Sequence, residues 1–456
     1  RQEGWKFEEL DRRAEWRLPI LLQADDQALP ASNLASLDDM VRFAEEWSIS
    51  VHQEFHVGLD KTVVLLIGLQ VPGASGPEGP RIYGHPLGFT SQHKWLGVIW
   101  DSWLTFEPNL ERRIGAARAA FRPILALARD GLAPLAEIRG LVESKVKGAL
   151  FFAPAFLFMA QDAVGKLDAL QEEFERAMIG AAPKVPARAA LRAEMGSPLT
   201  WGEELILRVV GMRAELWTLE ENMLAKKVWR KSQSTTGNTF AAASRNLLDE
   251  LVLPEIWEVP GWSDTALDRR RAVVDYKKRI RGELEERSAT AWRERVVLEC
   301  PERPYLAASP APLSAAGIML GVDDMEAVWS ADAWARLRTG IMSASEPGMR
   351  QGERNCPLCN QRSSGLGHLA GSCPKLTQER ASYLQAITAA RKAELATAGE
   401  GGWAMSAFSV VAAPQDLSAN MHFGAAIESR LRMSAEQSVA EVGGEQGIRK
   451  AATRHG

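Results

Sequence analysis

LLQADDQALP, residues 21–30, sets two aspartates side by side, Asp25 and Asp26, between apolar flanks. Neighbouring side chains of a regular strand point to opposite faces of a sheet, so two adjacent carboxylates converge on one cation only at a tight hairpin tip. LPILLQA and QALP therefore read as short strands around an acidic turn. That turn has two readings. Asp pairs are common in turns because their side chains accept backbone hydrogen bonds. In the other reading the hairpin holds hard oxygen ligands at a sheet edge, where Mg²⁺ bridges to a triphosphate.

Bulk properties bound the choice. A chain of 456 residues with 46% hydrophobic residues has the material for roughly two to four domains with real cores. Its formal net charge is −4 and its pI about 6.1, so any nucleic acid has to be met by local basic patches rather than a global field. The sequence opens at Arg1, which suits a fragment or a processed chain. Four cysteines are too few for a disulfide scaffold, and with no signal peptide the expectation is a reducing, nuclear or cytoplasmic compartment. The longest apolar run, ALFFAPAFLFMA at 149–160, is too short for a bilayer and is broken by Pro154, so no membrane association is expected. No GxxxxGK[ST] or GxSxG box supports a P-loop or a hydrolase.

Residues 1–106 mix strands and helices. After Asn33, a good N-cap, Leu34, Leu37, Met40, Val41, Ala44 and Trp47 fall on one helical face. KTVVLLIGL from Lys61 predicts a strand covered on both faces, PGASGPEGP at 72–80 a loop, and KWLGVI from Lys94 a further short strand. Residues 107–231 turn helical, with NLERRIGAARAAFRPILALA and a stripe of Val164, Leu167, Leu170, Phe174 and Met178. SQSTTGN at 232–238 reads as a linker. A helical connector, 239–306, carries RRRAVVDYKKRIR at 269–281, with Val273, Val274 and Ile280 for apolar contacts. Arg269, Arg270, Arg271, Lys277 and Lys278 in that run fit phosphate contacts or a solvated face. ASPAPLSAAG near residue 310 is a second linker, 318–397 a metal-binding segment, and the Gly- and Ala-rich 398–456 a weakly ordered tail. The histidines at 52, 56, 85 and 93 fall in loop-like stretches.

NCPLCNQRSSGLGHLAGSCP holds Cys356, Cys359, His368 and Cys373 as C-x2-C-x8-H-x4-C. Zinc takes four N or S ligands in a tetrahedron, and a C-x2-C knuckle offers two thiolates from one turn. Gly365 and Gly367 free the loop to bring His368 round, and Cys300 is expected to be a bystander. Arg336, Arg338, Arg350, Arg354, Arg362 and Lys375 lie close by in sequence, as phosphate contacts or a solvated rim, with Trp334 placed to stack on a base.

QADD is similar to the aromatic-Ala-Asp-Asp box of reverse transcriptases of non-LTR retrotransposons, and the order of later segments extends the likeness. The helix ASLDDMVRFAEEWSISV is followed by FHVGLDKTVVLLIG, which resembles that family's Lys-Thr strand. HKWLGVIWDSWLTFEPNLERRI resembles its primer grip and the start of its thumb, and ALFFAPAFLFMAQDAVGKLDALQEEFERAMIG the helices beyond. The cysteine segment, with RLRTG at 336–340, resembles its C-terminal zinc-binding segment.

The resemblance implies an α+β fold: a partial reverse transcriptase palm (a small antiparallel sheet with helices) in 1–106, a mainly α-helical thumb and connector, and a small zinc knuckle. It implies Asp25 and Asp26 as Mg²⁺ ligands, Lys61 near the incoming dNTP, Trp95, Leu96 and Gly97 in the primer grip, structural Zn²⁺, and an RNA template with a DNA primer as partners. Gln23 replaces the family's aromatic residue. A second metal-binding aspartate is expected upstream, yet only 24 residues precede Asp25, and Asp11 lies in a charged helical stretch. This chain alone is therefore expected not to polymerise DNA. A non-catalytic nucleic-acid-binding remnant with a structural zinc knuckle is the alternative.

Overall fold

The computed structural model describes residues 21–23, 26–58, 61–68, 79–129, 132–179, 188–233, 239–258, 266–300, 306, 333–335, 337–338, 356, 358–361, 366–408, 416, 418–427, 429–431 and 433. The described chain is mainly helical, with short strands confined to its first 101 residues. It divides into two compact units, 1–112 with 159–161, and 113–158 with 162–456.

In the first unit β1 (Leu21–Gln23) and β2 (Asp26–Ala28) pair antiparallel, with Gln23 opposite Asp26. Helix α1 (Leu34–Ser50) starts where Asn33 accepts a hydrogen bond from the Ser36 amide. Its expected stripe is the covered face, with Val41 and Ala44 buried. Strand β3 (Val63–Leu65) pairs in parallel with β6 (Gly88–Thr90). β4 (Arg81–Ile82) and β5 (His85–Pro86) form a hairpin, as do β7 (Gln92–Trp95) and β8 (Val98–Asp101).

Three expectations need correction here. The strands make separate two-stranded pairs, one of them parallel, rather than one small antiparallel sheet, and their ladders are only two to four residues long. The KTVVLLIGL run is not covered on both faces. Among the described residues of the run only Val64 is fully buried, against Val41, Ile82 and Leu87, while Ile67 is 55% exposed. KWLGVI is not one strand but a tight hairpin, because Leu96 (φ 48°) and Gly97 (φ 79°) both adopt positive φ, the requirement of a type I′ turn. His85 and His93 consequently lie in strands.

Helix α2 (Glu107–Arg129) carries the division between the units. Asp101 fixes its approach by accepting hydrogen bonds from the amides of Trp103, Thr105 and Phe106 and from the Thr105 hydroxyl. In the second unit α3 (Leu135–Leu141) runs through a π turn at Val142–Val146 into α4 (Lys147–Leu150), followed by α5 (Pro154–Phe158), α6 (Ala163–Met178) and α7 (Arg188–Met195). Phe121 stacks on Phe174, their ring centroids 4.0 Å apart, which joins α2 to the predicted stripe of α6. Helix α8 (Trp201–Thr218) opens with a capping box from Thr200 and Glu203. Then come α9 (Leu224–Gln233), α10 (Phe240–Glu250) and the long α11 (Ala266–Glu299). Ser232 and Gln233, read as linker, belong to α9; the rest of that linker and the one near 310 lie outside the described residues.

The last helices are α12 (Leu366–Gly371), α13 (Thr377–Ala386), α14 (Ala389–Ala396) and α15 (Glu400–Phe408). They correct the picture of a weakly ordered tail from 398 for the described residues up to 433, while 409–415 and 434–456 lie outside the described residues. Phe408, Met421, Phe423, Ile427 and Leu431 are buried in one core with Trp292, Val296, Leu306 and Trp334. Small residues serve close packing here, both before the tail and within it. A Cβ on Gly371 would stand 3.1 Å from Trp403, and one on Gly424 only 2.5 Å from Trp334. The connector likewise shares this core rather than forming a body of its own. Helix α7 touches it with Ala189, Ala190 and Ala193, and turns Leu191 and Met195 to a second cluster with Leu135, Ala136 and Ile179. Among the described residues no helix is long and apolar enough to cross a membrane.

Candidate metal centre

Cys356, Cys359, His368 and Cys373 come together, their ligand atoms all within 4.8 Å of one another. The knuckle is built from backbone bonds. The Cys356 amide donates to the Gln361 carbonyl (2.7 Å) and the Asn360 amide to the Cys356 carbonyl (2.8 Å), while Asn360 takes the left-handed conformation (φ 59°) that reverses the chain after Cys359. Helix α12 supplies His368, whose carbonyl accepts the amides of Ser372 (2.9 Å) and Cys373 (2.8 Å). That closure places the last cysteine one turn beyond the histidine.

The donor set and its spacing fit zinc. Bond lengths of about 2.3 Å to sulfur and 2.0–2.1 Å to nitrogen in a tetrahedron put two sulfurs about 3.8 Å apart and a sulfur and a nitrogen about 3.6 Å apart. The Sγ atoms of Cys356 and Cys373 are 3.8 Å apart, and Cys359 Sγ lies 3.3 Å from His368 Nε2. His368 Nδ1 stands 2.9 Å from the Ser372 hydroxyl. With Nε2 turned to the metal, Nδ1–H donates to Ser372 and holds the ring, the usual outer-shell device of zinc histidines. Ser372 was not singled out from the sequence; its signal was the i, i+4 offset from His368.

Charge balance points the same way. Three thiolates and a dication leave the site at −1, and the Cys373 charge reaches the Arg380 guanidinium, whose buried Nη1 has no hydrogen-bond partner. Taken as thiols, Cys356 and Cys373 are pushed up by burial, Cys373 to about 12. Burial also raises Cys359, but the Gln361 amide and the His368 side chain outweigh it and bring it down to about 7. A metal takes thiolates, so binding releases protons. None of the four cysteines is in a disulfide. Cys300 is buried in the same core and stands outside the four-residue group.

Other predicted residues fare differently. Arg338 is not available to phosphate: it is buried 3.1 Å from the buried carboxylate of Glu194. The contact is ionic without hydrogen-bond alignment, and burial, which outweighs Arg338 and Arg139, pushes Glu194 up to about 7. Trp334 is not a stacking platform either. It is fully buried, and its Nε1–H donates to the Ala407 carbonyl at 2.9 Å. Lys375 is exposed beside Cys373, whereas Arg336, Arg350, Arg354 and Arg362 lie outside the described residues.

The basic run occupies the first four turns of α11. Val273 and Ile280 are buried as expected, but Val274 is 65% exposed and Tyr276 takes the third inward place. Lys277 pairs with Glu215 of α8, its stem against Gly211. Arg270, Arg271 and Lys278 are exposed.

In the first unit, Asp25 lies outside the described residues and Asp26 opens β2. The Cys/His cluster is the one metal-ligand group among the described residues, so nothing there supports magnesium. Lys61 is exposed two residues before β3. Trp95 is half-buried with Nε1 lacking a partner, and Leu96 and Gly97 form the hairpin tip. That tip is tied down from α2 by Arg112, which donates to the Gly97 carbonyl at 2.9 Å. No protein-family model, curated protein or solved structure matches the chain.

Proposed function

We propose that this chain is a C-terminal portion of a non-LTR retrotransposon reverse transcriptase, an RNA-directed DNA polymerase, and that its zinc centre is structural. One observation carries the reading: the order of features along the chain. An acidic hairpin is followed by a capped helix, the Lys61 strand, the Trp95-Leu96-Gly97 hairpin, a helical bundle and a Cys₃His centre. The Leu96-Gly97 turn supports it further. An exposed leucine at φ 48° sits where asparagine or glycine would be relaxed, and such strain is retained where a side chain has a contact to make.

On this reading Asp25 and Asp26 serve Mg²⁺ in the intact enzyme, Lys61 the triphosphate, and the Leu96-Gly97 tip the primer end. The centre's place inside a large core favours folding over chemistry, since a closed four-ligand site has no open position for a substrate. Gln23, opposite Asp26 in the hairpin, favours a second reading in which nucleic-acid binding is kept without polymerisation.

Salt-dependent retention of structured RNA by the zinc-loaded chain tests what the two readings share. Template–primer extension separates them in one direction only, because this chain alone is expected not to polymerise under either. Extension that is lost in Asp25→Asn supports the polymerase and overturns that expectation, whereas binding without extension fits both. Wild-type protein with no salt-dependent retention of RNA sinks the pair.

A further inference from the structure

Charge on α11 is segregated along its length. Residues 266–281 hold seven basic and two acidic side chains, and 282–299 three basic and five acidic. The inward face of the first half is Ala272, Val273, Tyr276 and Ile280, so the outward side carries Arg270, Arg271, Val274, Lys278 and Arg281 with the single acid Asp275, and Arg281 pairs with Glu285. Helix α9 adds Lys227, Arg230 and Lys231 with no acid between its ends, while Lys226 is buried with its Nζ donating to the Trp217 carbonyl. Both helices pack against α8. Their basic ends are within electrostatic reach of each other: burial lowers Lys226 first, Glu221 opposes, and the charges of Arg230 and Arg269 lower it further.

Like charges gathered in this way repel and cost folding free energy. Some are offset inside the molecule. Lys277 pairs with Glu215, Arg279 with Glu283 and Arg230 with Glu221. Arg270, Arg271 and Lys278 have no hydrogen-bond or ion-pair partner among the described residues; Arg270 and Arg271 share one turn of the outward side and Lys278 lies about two turns further on, a span of about 12 Å of helix.

We infer that α9 and the first half of α11 form one basic platform that takes the phosphate backbone of a nucleic-acid duplex, with Arg270, Arg271 and Lys278 as its phosphate contacts. The inference rests on the nucleic-acid reading above and narrows it to a surface and a partner geometry. A duplex is favoured over a single strand because the outward side of the first half of α11 offers Val274 as its one apolar side chain and no aromatic ring. Single strands are held by stacking on aromatic side chains, and the nearest aromatic residues of the two helices, Trp229 and Tyr276, are buried. A lipid surface fits poorly for a related reason, since interfacial helices insert tryptophan, phenylalanine or leucine.

The test uses the full zinc-loaded chain and a short RNA duplex, with a single strand of the same length as the second arm. The triple variant R270Q/R271Q/K278Q is compared with R245Q/R293Q/R295Q, which removes the same charge from exposed positions on α10 and the second half of α11. The platform triple should weaken duplex binding about 10- to 100-fold at low salt and lower the slope of log affinity against log salt by about 2–3. The control triple should stay within about twofold, and zinc content checks folding in both. Equal effects of the two triples, no effect of the first, or preference for the single strand overturns the platform while leaving the nucleic-acid reading intact. Wild-type protein that binds neither RNA overturns both.

Discussion

The two units differ in how their candidate sites are supported. Around the N-terminal strands the described core is Val41, Val64, Ile82 and Leu87, with half-buried side chains packed on it. Around the Cys/His centre it is a cluster of twenty-four buried residues drawn from α7, α11 and every later helix, and two of the zinc ligands, Cys356 and Cys373, belong to it. The first arrangement presents turns: Tyr83-Gly84 and Leu96-Gly97 both reverse the chain at positive φ. The second encloses its ligands. A surface that must admit primer or template and a centre that only has to hold the chain together call for these opposite constructions.

Removing a zinc ligand is the most severe way to break that comparison. Structural zinc sites contribute on the order of 10–16 kcal/mol of binding free energy, as much as the whole stability of a typical domain. Wild-type protein purified without chelator should hold one zinc per chain, and Cys373→Ser should hold none. Hydrogen exchange should then lose protection across 366–408 and 418–427, while the 92–101 hairpin keeps its own. Exchange of the hairpin in step with the zinc core would show that the contrast between the regions is only apparent.

Tryptophans sharpen it next, because the same residue type stands in both settings. Trp334 is fully buried with its Nε1–H on Ala407, whereas Trp103 is 62% exposed. Trp334→Ala should cost about 3–5 kcal/mol, read as a lower urea midpoint and easier zinc loss, and Trp103→Ala less than about 0.5 kcal/mol. A Trp103 variant that folds normally but binds RNA more weakly would give the N-terminal surface its ligand. A tolerated Trp334→Ala would return that residue to the surface role suggested by its basic neighbours in the sequence.

Those two residues also show where the sequence was legible. Local signals carried well: the Asn33 cap with its stripe, the α6 stripe and the C-x2-C-x8-H-x4-C spacing all depend on residues close together in the chain, and so does the hairpin at 21–28, although Asp26 belongs to β2 rather than to the turn. What failed was non-local. Nothing near Trp334 or Arg338 announces that Ala407 and Glu194 cover them, and Lys277 meets Glu215 across sixty-two positions. Glycine and alanine beyond 398 signalled weak order, since composition cannot distinguish a loose segment from one in which a glycine such as Gly424 admits Trp334. Leu96-Gly97 could have been read as a turn, but its apolar flanks and the leucine argued for a continuous strand.

Acidity separates the regions most finely, because one buried carboxyl in each is shifted in the opposite direction. Glu175 of α6 lies in a cleft with Arg139, Gln171, Phe174 and Trp201. Burial raises it to about 7, against the Gln171 hydrogen bond and the charges of Arg192, Arg188 and Arg139. The native chain therefore keeps a proton that the unfolded chain releases above its ordinary value of 4.5. That contribution is complete below pH 4.5, fades as pH rises to about 7, and amounts to about 3 kcal/mol. Glu175→Gln should flatten the profile and raise the urea midpoint at pH 8. At Asp101 burial raises the carboxyl, but the amides of Thr105, Phe106 and Trp103 and the Thr105 hydroxyl outweigh it, and the net shift is downward. Its contribution is present above the ordinary value of 3.8 and is lost as pH falls through the native value. Asp101→Asn exchanges one acceptor oxygen for an amide facing the Phe106 N–H, at a cost of about 2 kcal/mol at pH 7 that shrinks in acid. Exchange at the 92–106 amides, followed from pH 7 down to pH 3, reads the second effect separately from the first. Asp101→Asn leaving those amides unchanged would mean that the four hydrogen bonds do not hold the start of α2, and that the hairpin owes its position to Arg112 and Gly97 instead.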